Sequence, residues 1–209
     1  MASPIITATV TPAARPLLQS IKEHAVLLFG LLAIMWAIEV VDLLLPMVDL
    51  DQFGIRPRTE RGLVGILLSP FLHLGFGHLI SNSIPFLLLG GLVMTRGCRQ
   101  FLLLSLWVTI VGGCGVWLLG ASGTVHLGAS LLIFGYLGFL LSRGIAERSV
   151  GGVLFSVGLL FGYGGMLYGV LPGRPGISWL GHLCGFLAGV AAAWLLTKPS
   201  AEAARITRA

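Results

Sequence analysis

Six apolar runs, each near the length of one bilayer crossing, constrain this chain more than any other feature. They fall near 24–46, 76–94, 101–121, 127–142, 150–171 and 177–197. A helix needs roughly 20 mostly apolar residues to cross the hydrocarbon core of a membrane. Hydrophobic residues make up 56% of the 209 residues and charged residues 10%, whereas a soluble domain carries about 25% charge. Lipid is therefore the expected solvent. The expected fold is an all-α membrane bundle of six transmembrane helices, one domain at 24–197 between short cytoplasmic tails at 1–23 and 198–209. Residues 1–23 hold Pro4, Pro12 and Pro16 and no long apolar core, so they read as a loosely ordered tail and not as a signal peptide.

Between the first two runs lies 47–75, with Pro57, Pro70, Arg56, Arg58 and Arg61. It is too polar to cross and reads as a loop partly embedded in the interface. Every other connection is short. The second and fourth runs are also short, and the second opens on polar residues; such spans line protein or water rather than lipid.

Thirteen Lys and Arg against eight Asp and Glu give a net charge of +5. These residues sit between the apolar runs and form no dense patch, so they report topology and not nucleic-acid binding. With the N-terminus in the cytoplasm, Arg15, Lys22, Arg96, Arg99, Arg143, Arg148, Lys198, Arg205 and Arg208 fall inside. Only Arg56, Arg58, Arg61 and Arg174 fall outside. Both termini are expected in the cytoplasm. Cys98, Cys114 and Cys184 form no CxxC pair, which points to free thiols, no disulfide framework and no zinc. No cofactor is implied.

Polar groups inside a membrane are costly and usually functional. His78 and Asn82 open the second run, Ser130 lies near the start of the fourth, and His182 near the start of the sixth. In this topology all three runs begin at the outer side, so the four residues share one depth. His78 and Asn82 are one helical turn apart. Gly128-Ala129-Ser130 places the serine where a helix N-terminus offers free backbone N–H groups and a favourable dipole for negative charge. A serine needs a base to become a nucleophile, and a neutral histidine can take its proton and return it to a leaving amine. The Asn82 amide, the His78 ring and the Ser130 N–H can serve a developing oxyanion. No acid accompanies the pair, so the residues imply a Ser–His dyad. Gly181, Gly185 and Gly189 form a groove on the sixth run where a neighbouring helix can pack closely.

Three other groups have plainer readings. His126, four residues before Ser130, is a rival base but is expected in the third loop, in solvent. His73 is expected to support the second helix, and a metal site from His73, His78 and His126 lacks ligand spacing. Glu39 and Asp42 share a helix face and read as structural.

Taken together, His73-x4-His78-x3-Asn82, Gly128-Ala129-Ser130 and Gly181-His182-x2-Gly185-x3-Gly189 resemble the motifs of the rhomboid intramembrane serine proteases, in order and on the matching helices, with 52 residues from serine to histidine. The resemblance covers roughly 24–197. It implies Ser130 as nucleophile, His182 as base, His78 and Asn82 as oxyanion groups, and Phe134 packed on the histidine where the family usually has Tyr. It implies that the fifth run and Pro172 to Ser178 gate and cap the site, and that 47–75 matches the family's submerged first loop. The implied partners are transmembrane protein substrates and the lipid bilayer, and the compact six-helix form with short tails points to a prokaryotic plasma membrane. The chain departs from the family at Leu131, where Gly is common after the serine, and in lacking the Trp-Arg pair of the first loop. The alternative is a catalytically silent relative that binds transmembrane clients; such relatives would be expected to lack the Ser or the His, and this chain keeps both. A transporter or channel would show more intramembrane charge and often internal repeats, and neither is present.

Overall fold

A computed structural model describes residues 14–45, 47–173 and 176–197. Its helices are α1 (Ala14–Leu44), α2 (Glu60–Leu68), α3 (Gly75–Met94), α4 (Cys98–Trp107), α5 (Gly113–Leu119), α6 (Ser130–Ala146), α7 (Val150–Tyr163) and α8 (Trp179–Leu196). A π turn, Val108–Gly112, joins α4 to α5, and a 3₁₀ turn, Gly164–Val170, continues α7. Among the described residues the one β feature is an isolated bridge between Ile55 and His126.

Five stretches are long and apolar enough to cross a membrane: Gln19–Leu44, Gly75–Met94, Cys98–Leu119, Val150–Val170 and Trp179–Leu196. The expected sixth is the 17-residue α6, which falls short of that length. Every residue from Ser130 to Leu140 is buried. Other helices surround α6, so lipid thickness does not govern its length. The outer helices instead expose apolar side chains such as Val26, Leu43, Leu154 and Phe161, as a multi-pass membrane protein must.

The expected tail at 1–23 is corrected in part, since α1 already begins at Ala14. Its first turns are too polar for a hydropathy reading but continue the helix through bonds one turn apart, Gln19 Nε2 to Glu23 Oε1 at 3.1 Å among them. Residues 1–13 and the expected tail at 198–209 lie outside the described residues.

The loop expected at 47–75 contains the helix α2. Thr59 Oγ1 caps it by accepting from Gly62 N–H at 3.1 Å, and Glu60 stands in the first turn. Arg58 anchors this loop: its guanidinium donates to the Leu118 carbonyl at 2.9 Å and to Ser122 Oγ at 2.7 Å. Trp117 Nε1–H donates to the Thr59 carbonyl at 2.9 Å. These bonds pin the first loop to the end of α5.

The glycine groove meets α6. A Cβ on Gly185 would overlap the Leu131 carbonyl, one on Gly189 the Gly135 carbonyl, and one on Gly138 the Phe186 carbonyl. The two backbones touch, which fixes the axial register of α8 on α6. On its other side α6 receives α7, through Gly144 against Gly152 and Ser156 Oγ–H to the Leu140 carbonyl at 3.0 Å. Of the side chains on α7, only Ser156 and Leu159 are buried.

Candidate active site

Ser130 is the first residue of α6, so its N–H has no carbonyl one turn back to bond. The turn before it is held from both sides. Gly128 N–H donates to the Ser69 carbonyl at 2.8 Å, and Ala129 N–H to His73 Nε2 at 3.2 Å. Gly128 has φ +116°, a conformation that favours glycine. A Cβ there would lie 2.7 Å from His78 Cε1 and 2.9 Å from His78 Nε2. His73 thus holds the serine turn while packing edge-on against His78 in the first turn of α3, ring centroids 5.2 Å apart, and its Nε2 must stay unprotonated to accept from Ala129. Burial, reinforced by the neighbouring His78, lowers its pKa to about 4.

His78 Nδ1 accepts from Leu74 N–H at 3.3 Å, which assigns the ring proton to Nε2, on the side facing Gly128. Asn82, one turn on, is buried and donates one amide hydrogen to the His78 carbonyl at 2.9 Å, and the other has no partner among the described residues. Glu39 on α1 is also buried and faces the backbone of Gly75, where α3 begins. Asp42 Oδ1 accepts from Leu50 N–H at 2.9 Å, which gives it a structural role in the first loop.

His182 sits in the first turn of α8. Its Nδ1 is 2.9 Å from the Gly169 carbonyl, an acceptor, so Nδ1 carries the proton and Nε2 keeps its lone pair. The Phe134 ring stacks on the imidazole with centroids 4.1 Å apart and an interplanar angle of 8°. Ser130, His182, His78, Asn82 and Phe134 all line one cavity of about 550 Å³, whose walls also include Thr124, His126, Met166 and Ser178. No hydrogen bond joins Ser130 to His182 among the described residues. Such contacts commonly tighten only when substrate is bound.

Leu131 lines no part of this cavity. Its side chain packs toward Gly112 in the π turn, where a Cβ would meet Leu131 Cδ1 at 3.2 Å. His126 corrects the expectation of a solvated loop residue. It is half-buried, with Nδ1 2.6 Å from Ser178 Oγ and Nε2 2.9 Å from Thr124 Oγ1, and burial lowers its pKa. No bond links it to Ser130. No cluster of three or more His, Cys, Asp or Glu suited to a metal occurs among the described residues. Gly169 and Ser178 escape a reading of side-chain types. A carbonyl partner leaves no mark in sequence, whereas Ser178 before an apolar run carries an N-cap signal.

A helical multi-pass membrane protein with Ser130, His182, His78 and Asn82 around one cavity is thus defined. The family model described as Rhomboid domain matches residues 60–199. The chain belongs to the rhomboid family, whose members are generally intramembrane serine proteases. It is 42% identical over 185 residues to the uncharacterized protein Rv1337 of Mycobacterium tuberculosis, covering 85% of this chain and 77% of that one. It is 43% identical over 176 residues to the uncharacterized protein ML1171 of Mycobacterium leprae, covering 80% and 69%.

Proposed function

We propose that this protein is an intramembrane serine endopeptidase acting by a Ser130–His182 dyad on peptide bonds in or beside transmembrane segments of membrane-protein substrates. One observation carries the reading. The Gly169 carbonyl and the Phe134 ring hold His182 in the tautomer and plane that leave Nε2 basic, in the cavity that Ser130 lines. The carbonyl takes the orienting role that a carboxylate fills in a triad.

In this mechanism Ser130 Oγ attacks the scissile carbonyl carbon as its proton passes to His182 Nε2. The oxyanion is met by the Ser130 N–H, His78 Nε2–H and the second Asn82 amide hydrogen. The tetrahedral intermediate collapses, His182 protonates the leaving amine, and the acyl-enzyme is hydrolysed by water activated by the same Nε2. Helical peptide bonds are hydrogen-bonded and shielded, so substrates must unwind locally, and small or helix-breaking residues favour cleavage. We read α6 as a sixth, protein-enclosed crossing. The cavity then opens to the outside of a prokaryotic plasma membrane, with both termini in the cytoplasm.

The test is labelling by a fluorophosphonate in detergent, comparing wild type with Ser130→Ala and His182→Ala, followed by cleavage of a model transmembrane substrate in lipid. Labelling of wild type alone supports the dyad. Folded wild type that neither labels nor cleaves would instead fit a silent, client-binding relative.

A further inference from the structure

The glycine contacts that fix α8 on α6 begin at Gly185, one turn after His182. Gly181, earlier in the groove, faces Ser178 and not α6: a Cβ there would lie 2.7 Å from Ser178 Oγ. The first turn of α8, which carries His182, therefore needs another support.

Ser178 supplies it as the N-cap, its Oγ accepting from Gly181 N–H at 3.3 Å. The same oxygen lies 2.6 Å from His126 Nδ1. Bond directions follow from the outer partners. Thr124 Oγ1 donates to the Ala121 carbonyl at 2.7 Å, so it accepts from His126 Nε2–H at 2.9 Å. His126 Nδ1 is then the acceptor, and the Ser178 hydroxyl donates to it. The run of bonds from Gly181 N–H to the Ala121 carbonyl leaves no polar hydrogen unused. His126 is itself fixed: Ile55 N–H donates to its carbonyl at 2.8 Å and its N–H to the Ile55 carbonyl at 2.9 Å, and Ile55 is buried. Two residues after His126 comes the serine turn, Gly128 to Ser130.

We infer that the His126–Ser178 hydrogen bond is a clasp that sets the first turn of α8 against the segment leading into Ser130, making both positioning residues for the proposed reaction. This rests on the peptidase reading. The clasp spans 52 residues, four before each member of the dyad. It ties base to nucleophile through the segment before Ser130, which the Ile55 pair anchors to the first loop, and not through the helix contact. Without it the His182 ring keeps Phe134 and Gly169 but loses the support of its own turn. A displacement on the scale of 1 Å lowers turnover about 100-fold.

The experiment measures kcat and KM on a model transmembrane substrate in lipid, and fluorophosphonate labelling mapped by mass spectrometry, for wild type, His126→Ala, Ser178→Gly, Ser178→Thr and the double variant His126→Ala/Ser178→Gly. Glycine is tolerated as an N-cap, so Ser178→Gly removes the clasp while keeping the helix start. The expected result is a fall in kcat of about ten- to a hundredfold in each single variant. KM and Tm stay near wild type, the label stays on Ser130, and Ser178→Thr regains most activity. The double variant is no worse than the poorer single one, as two ends of one bond require. Near-wild-type kcat in folded single variants overturns the clasp, and so do multiplying losses in the double variant or a label found on Ser178. Wild type that fails to label at Ser130 overturns the peptidase reading, and the clasp with it.

Discussion

The Phe134 ring lies flat against the imidazole of His182, one turn into α6 from Ser130, with centroids 4.1 Å apart. An edge-on or absent neighbour would leave the imidazole free to rotate about its side-chain bonds. The stacked ring restricts that motion, and the Gly169 carbonyl removes what remains.

Replacing Phe134 with Leu should keep an apolar side chain but lose the flat face, lowering kcat about tenfold with little change in KM, as expected of a group that orients the base. Phe134→Tyr, the residue usual in the family, should stay near wild type. Steady-state cleavage of a model substrate in lipid checks both. Equal rates for Phe134→Leu and wild type would remove the orienting role from the ring.

Gly169 lies too close to both rings to carry a side chain. A Cβ there would stand 2.9 Å from Phe134 Cζ and 3.1 Å from His182 Nδ1. Gly169→Ala must push the 3₁₀ turn outward and lengthen the bond that fixes the tautomer. Fluorophosphonate labelling of Ser130 should slow by at least about tenfold, in line with the contribution of general base catalysis. Gly165→Ala, in the same turn with open space around it, should label normally. If both variants label alike, the Gly169 carbonyl has no part in activating the histidine.

Much of this was legible in the chain, for physical reasons. The apolar runs locate the helices because a bilayer demands length, and the glycines spaced by four locate the α6–α8 contact because only small residues let backbones touch. What escaped reading was decided by other forces. The start of α1 is carried past Pro16 by polar turns that hydropathy cannot see, although proline is tolerated in a first helical turn. The helix α2 hides in a polar loop, yet Thr59-Glu60 before an apolar run is a cap signal. The short α6 is set by its neighbours and not by lipid. At the site, residue types singled out Ser130, His182, His78 and Asn82. His126 looked like a solvated spare because the partner that buries it, Ser178, lies 52 residues away.

His73 predicts acid sensitivity. Its pKa is near 4 in the folded chain against an ordinary 6.5, because burial disfavours the charged ring. Between those values the unfolded chain binds the extra proton and the folded chain does not. The stability from neutral His73 is therefore complete above about pH 6.5 and is lost as pH falls from there toward 4, by about 3 kcal/mol at most. Protonation also occupies the nitrogen that accepts from Ala129 N–H. Tm and labelling rate should both decline reversibly over this interval. His73→Gln keeps an acceptor but does not titrate, so its decline should be shallower. A decline as steep as wild type would assign the effect to other groups.

Leu131 stands where the family commonly has glycine, and the structure explains how the chain accommodates it. Its side chain is buried and directed at Gly112, whose missing Cβ makes the room, and it lines no part of the 550 Å³ cavity. The residue should therefore matter for packing and not for chemistry. Leu131→Ala opens a void at the α6–π turn contact and should lower stability by about 2–5 kcal/mol, the usual range for a buried leucine. The rate at which folded protein labels on Ser130 should stay within about twofold of wild type, since the serine turn is held by Ser69, His73 and Gly128 and not by this side chain. Thermal unfolding in detergent gives the first quantity, and labelling normalised to folded protein gives the second. A variant of unchanged Tm that labels tenfold more slowly would place Leu131 in the machinery of the site after all.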